Sequence, residues 1–321
     1  MNFAHRLQLA AAIILVALSG GVAWSQAART IKVVVPVSPG GVYDFVARLL
    51  AEQIGQTTAM RMVIENRPGA GGGIGTEAVS RAAPDGNTLL ITGTELVINP
   101  HLRKLNYDPL TGFEPICYLM SVPMVITVNG ASPYRTLADL LDAARAKPGD
   151  LALAAPGPAT LQQIAFEMLK RAANINMTFV PYPGGAPAIN ALLGEHVASA
   201  LTAYSTSAEQ LKAGKLRALA ATTRMRIEPL PEAPTVAEFG YKNYEVDFWT
   251  GVLAPAKTPK ETVSQLAGWF ATAMQAPEVK SKLAVQGLFP VGLCGMDFAV
   301  LLHKQYEEFG RVIRETNIKV E

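Results

Sequence analysis

Residues Ile31 to Arg48 read Ile-Lys-Val-Val-Val-Pro-Val-Ser-Pro-Gly-Gly-Val-Tyr-Asp-Phe-Val-Ala-Arg. An apolar, β-branched run from Ile31 to Val37 stops at a Pro/Gly turn, and a helical pattern begins near Tyr43. The spacing predicts a strand, a tight glycine loop and a helix N-terminus. Such a helix end offers unpaired backbone N–H groups and the positive end of the helix dipole, which suit a carboxylate or a phosphate. The loop carries no basic side chain, so the backbone would do most of the holding. Asp44, at the helix start, is expected to cap backbone N–H groups rather than to touch an anionic ligand, which its charge repels.

The same alternation continues outward. Met60 to Glu65 predicts a second strand, a glycine-rich loop follows, a helix begins at Thr76, and Thr88 to Thr92 predicts a third strand. Strands alternating with helices imply βαβ units, a mostly parallel sheet, and ligand loops gathered along one sheet edge. A second set follows, with strands at Met124 to Val128 and Leu151 to Ala155, and helices at Leu137 to Ala146 and Thr160 to Ala173. It closes at Leu216 to Ala220, before a proline-rich segment, a strand at Val246 to Ala254 and three helical stretches. Two similar sets imply an α/β fold with one lobe inserted in the other. The first lobe is expected to take 28–121 and 252–321, and the second 122–251. The chain would cross near Ile116 to Met124 and return near Phe248 to Leu253, giving a two-strand hinge with a ligand cleft.

Residues 1–27 predict an export signal. His5 and Arg6 precede an apolar core from Leu9 to Leu18, too short for a comfortable membrane span, and Ser25 and Ala27 suit cleavage after Ala27. No Cys follows the apolar run, which argues against a lipid anchor. The expected mature protein is exported and soluble. A formal net charge of +2, from 28 Lys+Arg against 26 Asp+Glu, gives no reason to expect nucleic acid as a partner. Cys117 and Cys294 lie far apart; they can form one disulfide closing a long loop, the favoured expectation, or stay as two buried thiols.

Catalytic signatures are missing. His5, His101, His196 and His303 have no metal-ligand spacing, and no serine-hydrolase, zinc-protease or P-loop motif is present, so neither a metal site nor catalysis finds support. Gly73-x-Gly75-x-x-Ala78 nearly reproduces a dinucleotide fingerprint but lacks a convincing acid on the following strand end. Close packing beside the cleft is the better reading of that glycine run. Tyr43, Tyr204 and Trp249 are aromatic candidates; Tyr43 and Tyr204 facing each other would suit a flat ligand, whereas Trp249 is expected in the core.

Several stretches carry a family resemblance. They are Val-Pro-x-x-Pro-Gly-Gly-x-x-Asp-x-x-Ala-Arg (Val35 to Arg48), Glu-Asn-Arg-Pro-Gly-Ala-Gly-Gly-x-Ile-Gly (Glu65 to Gly75) and Ala-Ala-Pro-Asp-Gly-x-Thr-Leu (Ala82 to Leu89). Asn99 to Leu102, Val180 to Ala188, Ala213 to Ala220 and Pro234 to Glu238 continue the match along essentially the whole mature chain. In their order and spacing these resemble the Bug-type receptors of tripartite tricarboxylate transporters. The resemblance implies a type II periplasmic-binding-protein fold, no cofactor, a monomer, and capture of a small carboxylate (a di- or tricarboxylate, an amino acid or an aromatic carboxylate) for delivery to membrane transport subunits. It implies ligand contacts from Ser38, Pro39, Gly40, Gly41, Tyr43 and Asp44 in the first loop, and from Gly157, Pro158, Ala159 and Thr160 in the facing loop. Thr94, Gly184, Thr202 and Tyr204 complete the expected set.

The facing loop departs from the family's usual Gly-x-Gly-Ser-x-x-His. Thr160 keeps the hydroxyl, Pro158 donates no N–H, and Gln163 stands at the His position. Thr202 stands where an acid is common. These changes bear on which ligand fits. An exported enzyme acting on carboxylic acids, or a ligand-sensing partner of a signalling protein, are the alternative readings.

Overall fold

The computed structural model describes residues 30–58, 60–157 and 160–319. The expected signal, its cleavage point after Ala27, and the candidates Pro158 and Ala159 lie outside the described residues. In chain order the first elements are β1 (Thr30–Val35), α1 (Val42–Thr57), β2 (Arg61–Asn66), α2 (Gly73–Ser80), β3 (Thr88–Gly93), α3 (Glu95–Leu102), β4 (Phe113–Val122) and β5 (Met124–Asn129). Next come α4 (Leu137–Ala146), β6 (Ala152–Pro156), α5 (Leu161–Ala173), β7 (Thr178–Tyr182), α6 (Gly185–Leu193), β8 (Ser199–Ala203), α7 (Tyr204–Lys212) and β9 (Leu216–Ala221). The chain ends with β10 (Phe248–Pro255), α8 (Lys260–Gln275), α9 (Pro277–Val285), β11 (Phe289–Cys294) and α10 (Met296–Thr316).

These strands form two sheets. One has six strands in the order β11-β4-β10-β3-β1-β2, the other five in the order β7-β6-β8-β5-β9. Strand β1 lies parallel to β2 and β3, and β10 runs antiparallel to β3 and β4. Val33, Val34 and Val35 are buried because a strand inside a covered parallel sheet is apolar on both faces. Helix α1 buries Val46, Leu49, Leu50 and Ile54, a helically spaced stripe, against the first sheet. A capping box between Thr136 and Asp139 starts α4.

The chain leaves the first sheet at Val122 and enters the second at Met124, with Pro123 between. It returns at Asp247–Phe248, so Val122 and the whole of Phe248–Gly251 belong to the first sheet. The two crossings are tied by buried polar contacts. Asp247 accepts from the hydroxyls of Tyr118 and, at 2.5 Å, of Ser121, both on β4. Burial pushes the Asp247 carboxyl above the usual carboxylate range. The indole Nε1–H of buried Trp249 donates to Gln305 at 2.7 Å, fastening the return strand to α10.

Helix α10 packs against both α3 and α5, so it contacts elements of both sheets. Lys304 pairs with Glu245 at 3.2 Å, and Glu315 pairs with Arg171. The C-terminal helix therefore straps the two sheets together on the side of α3 and α5. A disulfide joins Cys117 on β4 to Cys294 on the edge strand β11, with the two residues paired in register.

Candidate functional site

Strand direction decides where the loops meet. The end of β3 lies beside the return crossing, Gly93 pairing with Thr250. In the second sheet Ala203, at the end of β8, pairs with Met124 at the start of β5. Strands β1 and β3 thus run toward the crossings in one sheet, and β6 and β8 in the other. The loops that follow them gather on either side of the crossings, where ligand sites form in open α/β sheets.

On the first side, Ser38, Gly40 and Gly41 are exposed, and Gly41 is the N-cap of α1 with no side chain capping it. The first-turn N–H groups of α1 are thus left without a side-chain cap. Asp44 is otherwise employed. It is buried, and its carboxylate accepts from the Gly40 N–H at 2.9 Å, from Asn66 at 3.0 Å and from Arg48 at 3.0 Å. The Arg48 guanidinium hydrogen bond, helped by the Gly40 and Asn66 donors against burial, lowers its pKa to about 2. Asp44 thus braces the loop from behind, accepting a backbone N–H as the reading of its residue type expected. The glycine run packs close as well: a Cβ on Gly75 would come within 2.8 Å of the Arg67 carbonyl and 2.9 Å of Pro36.

Tyr43 donates its hydroxyl to Glu95 at 2.6 Å. This contact depends on Gly93, where a Cβ would stand 1.9 Å from the Tyr43 hydroxyl oxygen. Burial, and then the neighbouring Glu95 charge, raise the Tyr43 phenol well above its ordinary value, so it stays protonated and donates. Thr94 is buried; its hydroxyl accepts the Trp249 N–H at 3.0 Å and donates to the Asp247 carbonyl at 3.4 Å. That hydroxyl serves the crossing strand, so Thr94 is a tie between loop and hinge.

On the second side, Thr160 caps α5, accepting the Gln163 N–H at 3.3 Å and donating to the carbonyls of Gly157 (3.0 Å) and Pro156 (3.1 Å). The Gly157 N–H donates to Tyr182 at 2.9 Å. By contrast Gly184, the N-cap of α6, has no side-chain cap, so α6 presents the more open helix end on this side. Thr202 lies fully buried within β8, where its hydroxyl has no partner among the described residues. Tyr204 begins α7 rather than ending a loop; it is buried and meets Phe289 of β11 edge-on, ring centroids 6.0 Å apart. With Tyr43 turned to Glu95 and Tyr204 to Phe289, the expected facing pair of tyrosines is not formed.

The structure thus brings together Ser38, Gly40, Gly41 and Tyr43 on one edge and Gly157, Thr160 and Gly184 on the other. It adds Glu95, which sequence reasoning passed over. The only pointer was an acid three residues past a predicted strand, which reads equally well as a first-turn helix charge. Among the described residues, no group of three His, Cys, Asp or Glu side chains is placed to hold a metal ion. A separate groove of about 680 Å³, lined by Arg171, Tyr241, Lys242, Glu308 and Arg311, lies at the far end of α5 from Thr160.

Comparison with known proteins agrees with this architecture. Residues 46–318 match the family described as "Tripartite tricarboxylate transporter family receptor". Protein BugT of Bordetella pertussis is 32% identical over 298 residues, which cover 91% of each chain. A TctC solute-binding protein from Polaromonas, solved with no ligand, superposes with a TM-score of 0.82 at 25% identity, covering 91% of this chain and 100% of that one. R. palustris Rpa4515 with adipate superposes with a TM-score of 0.65 at 30% identity, covering 92% and 99%. From its paired α/β sheets, its cleft and these matches, the chain belongs to the tripartite tricarboxylate transporter receptor family, whose members are periplasmic solute-binding receptors.

Proposed function

We propose that this receptor captures a small carboxylate between its two sheets and hands it to the membrane subunits of a tripartite tricarboxylate transporter. The observation that carries the reading is the uncapped N-terminus of α1 at Gly41, exposed and supplied with no basic side chain in its loop. Backbone N–H groups and the helix dipole hold a carboxylate there without a fixed cation. The uncapped α6 end at Gly184 supplies the matching donor on the other side. The adipate held by Rpa4515 supports the ligand class.

Capture requires contacts from both sides, because a ligand shifts a hinged equilibrium only by its difference in affinity for the two states. The first lobe carries the six-stranded sheet and the second carries the five-stranded one, hinged at Val122–Met124 and Asp247–Phe248. The protein acts as a monomer in the periplasm after loss of residues 1–27. A thermal-shift screen of the mature protein against succinate, malate, adipate and citrate tests the reading. Stabilisation by several degrees without turnover supports it, and no response to any carboxylate contradicts it.

A further inference from the structure

The C-terminal helix α10 meets α3 around one histidine. His101, in the last turn of α3, is half-buried, with its ring centroid 4.3 Å from that of Tyr306 and the two planes tilted by 46°. Gly310 leaves the ring its place: a Cβ there would stand 2.3 Å from the ring Cε1 and 2.7 Å from both ring nitrogens. A glycine inside a helix is costly relative to alanine, so α10 is intrinsically weaker at the point where the ring packs. The His101 Nε2 is buried and has no hydrogen-bond partner among the described residues.

A neutral imidazole tolerates that position. A protonated one has a donor on each nitrogen, and its Nε2–H would be a charged donor buried without an acceptor. The charged groups that face the ring are Glu307 and Arg314, both on α10. Strand β3 and residues Ala70–Gly72, which also pack against α3, bring no titratable side chain. Burial lowers the His101 pKa and Arg314 adds to this, against the Tyr306 backbone and Glu307, which favour the charged ring. The last turn of a helix also favours a positive charge, and here burial outweighs it. Acid therefore sets the ring against its site.

The contact matters beyond α3, because α10 also packs against α5 and carries the Lys304–Glu245 and Arg171–Glu315 ion pairs. We propose that His101 is a proton-operated latch: its neutral ring seats α10 on α3, and its protonation frees α10 and so loosens the strap between the two sheets. The latch works without a ligand and stands apart from carboxylate capture. It differs from uniform acid weakening of the fold, which would open every helix alike.

The test is hydrogen exchange of the full mature protein at pH 8 and pH 5, corrected for intrinsic rates and read on the amides of α10 with α4 as reference. In the wild type, α10 protection relative to α4 should fall about tenfold or more at pH 5, the scale of leaving a charged donor unpaired. His101→Phe, which keeps a flat ring and takes no proton, should hold its protection at both values. Gly310→Ala raises helix propensity, yet it should lower α10 protection already at pH 8, because its methyl meets the ring. Equal wild-type protection at the two pH values, or the same loss in His101→Phe, would overturn the proposal, as would full protection in Gly310→Ala at pH 8. The wild-type ring gives a check that needs no variant. Its NMR titration should have a midpoint below that of a free histidine, and a midpoint at or above that value would also overturn the latch.

Discussion

The backbone N–H of Gly40 donates to the carboxylate of Asp44 at 2.9 Å, so the glycine loop is held shut from behind by the helix it introduces. With Arg48 and Asn66 on the same carboxylate, Asp44 stays ionised down to about pH 2, well below the ordinary aspartate value of 3.8. A depressed carboxyl contributes stability that is present above its unfolded value and lost as pH falls through its folded one. Thermal melts between pH 5 and pH 2 should therefore show the wild type losing stability more steeply than Asp44→Asn. Parallel curves would mean that the brace contributes nothing.

Asp247 should behave with the opposite sign. Burial raises its carboxyl, so its stabilising contribution is full below the unfolded value and declines as pH rises through the raised one. Asp247→Asn, which still presents an oxygen to Tyr118 and Ser121, should flatten that decline. Urea denaturation at pH 4 and pH 8 measures it: the variant should gain on the wild type at the higher pH.

Gly93 offers a steric test of the Tyr43–Glu95 contact. In Gly93→Ala the new methyl meets the Tyr43 hydroxyl at 1.9 Å and the Trp249 carbonyl at 2.6 Å, so one of them must move. The expected cost is about 1–3 kcal/mol, as for overpacking elsewhere. Combining it with Tyr43→Phe, which removes the clashing oxygen, should recover part of the loss. A loss unchanged in the double variant would assign the strain to the Tyr43 ring carbon at 2.5 Å and the Trp249 carbonyl rather than to the hydroxyl.

The Cys117–Cys294 bridge closes a loop of 177 residues and holds the edge strand β11 on β4. In the chain-entropy model a loop of that size contributes about 5 kcal/mol. Denaturation of the oxidised and reduced protein should differ by roughly that amount, with the reduced form the weaker. Equal midpoints would show that the strand pairing suffices.

The opening strand, loop and helix were legible because β-branched residues, a Pro/Gly turn and helical spacing agree over Ile31 to Arg48. Strand β11 was not read as a strand, and β4 was anticipated only in part, as the crossing from Ile116 to Met124. Pro115 interrupts β4, while Pro290 and Gly292 interrupt β11, and such residues argue against a strand unless an edge or bulge absorbs them. Here β11 is an edge, and both pairings carry register shifts. Of the site, the exposed glycine loop was legible from local chemistry. Glu95 was not, because its meaning comes from Tyr43, 52 residues earlier in the chain. Thr202, expected just past a strand ending at Leu201, lies inside β8 because its place depends on tertiary pairing with Val125.

Gly41 gives the most direct test of carboxylate capture at the α1 N-terminus. Its backbone, at φ −78° and ψ 173°, suits any residue, and a Cβ there would meet nothing closer than 3.8 Å. Gly41→Leu should therefore fold normally while its side chain covers the helix end. Calorimetric titration would use whichever of succinate, malate, adipate, citrate, 4-aminobutyrate or 6-aminohexanoate binds the wild type most tightly. The account predicts an affinity loss of about a hundredfold or more in Gly41→Leu, with the ligand-free melting temperature little changed. Equal affinity in the two proteins would contradict it.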